Sequence, residues 1–362
     1  MTPTSVTSSQ KKSLAVWKLH EVKAGTSSIS NVAQRKHPVI SNSYTHEIIH
    51  PNPNPSIKDA HLIMSSEYPD PFIIHPEKHE NTLVLLHGTS MTGESLADAF
   101  LNYPIPISSA SQTTSPTPLT TTHTTLPLIF PTLRLVFPTG KQRTTTVFNG
   151  ALTNAWFDIH AFHDRTIGEV EACVGVRESL AFLHSLLLSE ISLLDQNEGA
   201  GGEGGGKGGI VIGGFSQGCA MLVMLLLSGL LESTGIKGRV KGFVGMSGWM
   251  PFRLQIQDVL SSSHSGIQDR RGVACTALHG ILGTEGQEGV SASVDVPMFF
   301  THGVEDQKVK MEWSREMTEV LRGVGAEEVE MVEMEGVGHW FGDEGMVGLV
   351  GLLRRVLARE EV

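Results

Sequence analysis

A serine between glycines, an aspartate beyond an apolar strand and a histidine beside a tryptophan are the residues of this 362-residue chain whose types and spacing could do chemistry together. Gly214-Phe215-Ser216-Gln217-Gly218 fits the G-x-S-x-G pattern, in which a strand turns sharply into a helix and presents a serine as nucleophile. The flanking glycines leave room for that turn. The β-rich run Ile210-Val211-Ile212 precedes it and the apolar run Ala220–Leu231 follows, which supplies the strand, turn and helix in the required order. Downstream, Met298-Phe299-Phe300-Thr301-His302-Gly303-Val304-Glu305-Asp306 sets Asp306 just beyond a buried strand, and Glu335-Gly336-Val337-Gly338-His339-Trp340 sets His339 in a glycine-flanked loop after another. A serine, an acid and a histidine at strand ends on one sheet edge are the parts of an acyl-transfer site. Glu305 competes with Asp306 for the acid's place.

Other residues match chemistry less well. His46-Glu47-Ile48-Ile49-His50 has the H-E-x-x-H spacing of a zinc site, but Pro51 pushes His50 out of a helical conformation and no third ligand follows. His160 and His163, with Asp164 adjacent, read as loop residues. Neither a metal nor an organic cofactor is expected. His87, at the end of the apolar run Leu83-Val84-Leu85-Leu86, reads as a structural histidine closing a strand.

The elements that must position these residues alternate along the chain. Strands are expected at 71–75, 82–87, 133–138, 210–213, 242–247, 296–302 and 328–334, with helical patterns at 170–188, 217–231, 313–324 and 345–358. Such alternation implies an α/β fold with a mostly parallel central sheet and helices on both faces. Residues 1–65 are polar, with Pro51, Pro53 and Pro55 alternating with asparagine, and read as a poorly structured tail ahead of one domain at 66–362. Flexible insertions are expected near 103–128, 197–209 and 262–295, where Ser, Thr, Pro or Gly dominate.

Composition narrows the function. Hydrophobic residues make up 40 %, enough for a sizeable core, and 27 Lys and Arg against 38 Asp and Glu leave a net charge of −11, which argues against nucleic acid as a partner. Three cysteines, Cys173, Cys219 and Cys275, cannot build a disulfide framework, which points to a reducing, cytoplasmic setting. Residues 1–45 are Ser-rich and carry six Lys or Arg against Glu21 alone, so mitochondrial targeting is the alternative. The uncharged stretch 208–231 is broken by Gly213-Gly214 and Ser216-Gln217-Gly218, so no integral membrane span is expected, and at most a transient contact with a membrane surface.

With these segments located, the chain resembles the acyl-protein thioesterase and phospholipase/carboxylesterase group of α/β-hydrolases, in a form like its fungal members. The resemblance runs over about 71–358, through LVLLHG at 83–88, AWFDI at 155–159, GVRESL at 175–180, GGFSQG at 213–218, GFVGMSGWMP at 242–251, and the HGxxD and GHW segments at 302 and 338. It implies an α/β-hydrolase fold, with Ser216 as nucleophile, His339 as general base and Asp306 as its orienter. The backbone N–H groups of Thr89 and Gln217 would form the oxyanion hole, and Trp156, Phe157, Trp249 and Trp340 would line the acyl or alcohol pocket. The implied partner is an acylated protein or a small acyl ester. A broad carboxylesterase or lysophospholipase is the alternative within the class. A catalytically inactive binding module is the alternative outside it, opposed by the intact serine, aspartate and histidine.

Overall fold

The computed structural model describes residues 68–108, 121–198, 208–263, 266–286 and 289–358. The expected tail at 1–65, the His46–His50 motif, and the middle of the first two expected insertions lie outside the described residues.

Seven strands form one sheet: β1 (Phe72–Ile74), β2 (Asn81–Leu86), β5 (Leu133–Phe137), β8 (Ile210–Phe215), β9 (Val240–Met246), β10 (Met298–Gly303) and β11 (Val329–Met334). Their order is β1-β5-β2-β8-β9-β10-β11, and only the edge strand β1 runs antiparallel to its neighbour. A parallel sheet covered on both faces needs strands that are apolar on both sides. In β2, Leu83 and Leu85 enter one core while Val84 and Leu86 enter the other. The first core is covered by α1 (Gly93–Leu101) and α8 (Asp343–Leu357), which supply Leu96, Phe100, Leu349 and Leu353.

The opposite face is covered by α3 (Glu169–Glu198), α4 (Gln217–Leu227) and α7 (Met311–Val324). Every residue of α4 is buried, which is why its sequence is apolar all round. Although α3 is long and apolar enough to cross a bilayer, Ala172, Val176, Leu180, Leu183, Leu187, Ile191 and Leu194 recur on one stripe that packs into the core, as in a core helix of a water-soluble fold.

Two hairpins and four helices, α1 among them, were not legible as elements. The hairpins are β3 (Ile105–Ser108) with β4 (Thr121–Thr124), followed by the short helix α2 (Leu126–Ile129), and β6 (Gln142–Thr145) with β7 (Ala151–Asn154). The third insertion departs from its reading as a loop: after α5 (Arg253–Ser262) it holds α6 (Ile267–Leu282), 16 residues long. The helix is anchored by Ala274, Leu278 and Leu282, four residues apart on one face, all buried in the main core. Arg270 donates to the carbonyl of Gly323 and Arg271 to that of Gly325, so α6 also caps the C-terminal end of α7. Charges and glycines on the outer face obscure the three-residue stripe in the sequence.

If α6 is part of the core, Leu278→Ala lowers stability by about 2–5 kcal/mol with little effect on kcat, which denaturant unfolding followed by an activity assay measures. An unchanged midpoint would return the segment to the status of a loop.

Candidate active site

β8 ends at Phe215 and α4 starts at Gln217, so the whole reversal falls on Ser216, whose backbone is in the left-handed region at φ 54°, ψ −117°. A β-carbon on Gly214 would stand 2.3 Å from the backbone of Gly218, and one on Gly218 would stand 2.3 Å from the carbonyl of Leu86. Both glycines are therefore required by contact. The Ser216 N–H donates to the carbonyl of Met246 on β9 at 2.8 Å, which pins the turn to the neighbouring strand.

The side chain of Ser216 meets His339, with Oγ 2.9 Å from Nε2, and His339 Nδ1 lies 2.6 Å from Asp306 Oδ2. The Asp306 side chain is wholly buried. Its Oδ1 accepts the N–H groups of Lys308 at 2.8 Å and Val309 at 2.9 Å. Burial works against the charge of this carboxylate, but hydrogen bonds from His302 and His339 outweigh it and hold the carboxyl well below the usual range. The competing acid, Glu305, faces elsewhere: its N–H donates to Val337 and the carboxylate that meets the imidazole is that of Asp306. Gly303 lets the two loops approach, because a β-carbon there would stand 2.2 Å from the carbonyl of Val337.

The loop after β2 abuts the serine, since a β-carbon on Gly88 would lie 3.2 Å from that of Ser216. Among the described residues, the N–H groups of Thr89 and Gln217 have no acceptor; for Gln217 this is the ordinary state of a first helical residue. His87 is structural. Its Nε2 accepts the Gly140 N–H at 2.9 Å, so the ring proton sits on Nδ1 and is given to the Gly88 carbonyl at 2.7 Å. Burial drives its pKa down to about 4, so the ring stays neutral.

Residues 118–280 match the sequence profile of the phospholipase/carboxylesterase family. Acyl-protein thioesterase 1 of Yarrowia lipolytica is 25 % identical over 213 residues, 59 % of this chain and 73 % of the relative. The protein of the same name from Schizosaccharomyces pombe is 32 % identical over 116 residues, 32 % of this chain and 43 % of the relative. Among solved structures, Zea mays acyl-protein thioesterase 2 superposes with a TM-score of 0.51 at 19 % identity, covering 80 % of this chain and all of that one, which supports the fold. The chain has the α/β-hydrolase fold, and its central part is similar to the phospholipase/carboxylesterase family.

Within this hydrolase the four aromatic residues expected at the pocket do not share a role. Trp156 is a correction: it is wholly buried, between His87 at 5.0 Å and Phe182 at 6.4 Å, and its indole N–H donates to the His87 carbonyl at 2.9 Å. It braces the loop after β2 from inside the core and has no face for a ligand. Phe157 and Trp249 are buried against each other edge to face, and the Trp249 ring is covered by the Arg165 guanidinium at 4.3 Å. Trp340 alone is half-buried, packed on Phe215 and Phe341 beside His339.

Three positioning contacts lay beyond the sequence reading. The Gln217 side chain accepts the Trp156 backbone N–H at 3.1 Å and donates to the Phe157 carbonyl at 2.7 Å, which ties the 155–159 segment to α4. Arg165 donates to the carbonyls of Ala161 and Lys308, which ties that segment to the Asp306 loop. His302, visible in the HGxxD segment, touches Asp306 itself. Among the described residues no cluster of three or more His, Cys, Asp or Glu could hold a metal ion, and His160 is paired with Asp158 at 3.1 Å.

Burial lowers the pKa of His339, and the hydrogen bond and charge of Asp306 oppose this without cancelling it. A histidine with a lowered pKa is neutral at pH 7 and becomes protonated only at lower pH. For hydrolysis of p-nitrophenyl butyrate, kcat/KM is therefore expected to be flat at neutral pH and to fall on an acid limb centred below about 6.5. A limb centred above that value would contradict the assigned environment.

Proposed function

We propose that this chain hydrolyses acyl thioesters or carboxylic esters through Ser216, His339 and Asp306, with acylated protein as its substrate class. The observation that carries the reading is the unbroken hydrogen-bonded run from Ser216 Oγ through His339 to Asp306. His339 Nε2 takes the hydroxyl proton as Ser216 Oγ bonds to the acyl carbon, and the carbonyl electron pair moves onto its oxygen. That oxyanion is received by the N–H groups of Thr89 and Gln217, which are fixed before the charge develops. Collapse expels the thiolate or alkoxide, which leaves with the proton from His339. Water then attacks the acyl-enzyme by the same route, releasing the acid and restoring Ser216.

The thioester preference is supported by relatives named acyl-protein thioesterase 1. The family description favours a second reading, a broad carboxylesterase or lysophospholipase acting through the same kind of acyl-enzyme. All three cysteines are free and buried, in keeping with a reducing cytoplasmic setting.

A fluorophosphonate should label Ser216, located by peptide mass spectrometry, and the label should vanish in Ser216→Ala and His339→Ala. In each variant kcat should fall by about 10⁴-fold or more. A palmitoyl-thioester peptide should then show a higher kcat/KM than short-chain p-nitrophenyl esters. The reverse order would favour the carboxylesterase reading, and a folded protein that takes no label would favour a binding module.

A further inference from the structure

The Asp306 carboxylate carries a second histidine. His302, at the end of β10, is wholly buried, and its Nε2 lies 3.2 Å from Asp306 Oδ2, the oxygen that His339 also uses. The same Nε2 is 2.9 Å from the carbonyl of Val309, which can only accept, so Nε2 bears a proton. On the far side of the ring, Nδ1 is 2.6 Å from the hydroxyl of Ser314 on α7, and that hydroxyl is 2.7 Å from the carbonyl of Gly248. Gly248 lies in the loop after β9, where a β-carbon would stand 2.6 Å from Cys219 Cβ and 3.6 Å from the Ser216 carbonyl. A run of close polar contacts thus leads from the nucleophile through His339, Asp306, His302 and Ser314 to the loop that presses on the nucleophile's own turn.

We propose that His302, backed by Ser314, is a positioning residue that sets the rotation of the Asp306 carboxylate and through it the aim of His339 at Ser216. This deepens the hydrolase reading and rests on it. Oδ1 is held by two backbone donors, from Lys308 and Val309, and Oδ2 by the two histidines. Remove the donor at His302 and Oδ2 retains only the group it is meant to orient. The carboxylate is then free to turn about its Cβ–Cγ bond, and the imidazole turns with it.

The test compares His302→Gln with His302→Asn in the full chain. The glutamine amide nitrogen falls near Nε2 and can still donate to Asp306 and Val309. The shorter asparagine amide falls near Nδ1 and can reach only Ser314. Both remove the ring and should lower the thermal midpoint alike. A positioning role predicts that Asn lowers kcat by roughly 10- to 100-fold with KM within about two-fold, while Gln keeps most of kcat. Equal kcat in the two variants, or a loss that appears in KM instead, overturns the proposal. Should neither variant be soluble, Ser314→Ala leaves the imidazole in place and should lower kcat at unchanged KM; wild-type kcat there overturns it equally. A wild-type protein that takes no fluorophosphonate and hydrolyses neither esters nor thioesters refutes the hydrolase reading, and this inference falls with it. A wild type that turns over alongside unaffected variants refutes the inference alone.

Discussion

The backbone at Ser216 is held where side-chain-bearing residues rarely sit, and most of the structure near the site follows from keeping it there. A non-glycine residue at φ 54° and ψ −117° costs on the order of 1–3 kcal/mol, and it persists only where the surroundings leave no alternative. Those surroundings are close backbone contacts. Gly214 and Gly218 let the strand and helix cross, Gly88 admits the neighbouring loop, and Gly245 and Gly248 make room for Cys219 immediately behind. The thiol of Cys219 is wholly buried, and its pKa is pushed above the ordinary thiol range by that burial, so it serves as packing for the turn.

Charge is managed in the same small volume. A buried carboxylate is costly unless its oxygens are filled, and Asp306 meets this with two backbone and two histidine donors. The histidine loop is held by aromatic packing. Phe341 stacks on Trp340 and meets Phe215, Phe100 and Tyr103 edge to face, while the Tyr103 hydroxyl donates to Asp343 at the start of α8. His339 can therefore be largely buried, neutral at pH 7 and aimed at Ser216 at once, as a general base would need to be.

The segments that carry these groups come from six strand ends, and side chains distant in sequence lace them together. Gln217 ties 156–157 to α4, Trp156 ties that segment to the loop after β2, and Arg165 ties 161 to the Asp306 loop. The bonds made by Gln217 and the Trp156 indole satisfy backbone groups of Trp156, Phe157 and His87 that would otherwise be buried unpaired, so these contacts serve folding and the site together.

The sequence by itself determined the architecture and named the members of the candidate site. Apolar runs of strand length separated by helical stripes leave little choice but a parallel sheet covered on both faces. Gly214-Phe215-Ser216-Gln217-Gly218, with Asp306 and His339 beyond later strands, names three residues because local geometry demands glycines and strand ends at those places. Tertiary structure decided what depends on distance in space. It set Asp306 rather than Glu305 against the imidazole, and it drew Trp156 out of the pocket into the core by giving its indole N–H the His87 carbonyl. It also folded 267–282 into a helix by giving Ala274, Leu278 and Leu282 a surface to cover. Such choices were illegible along the chain because a hydrogen-bond partner or a buried face has no fixed sequence separation. It exists only once the sheet has brought its strand ends together.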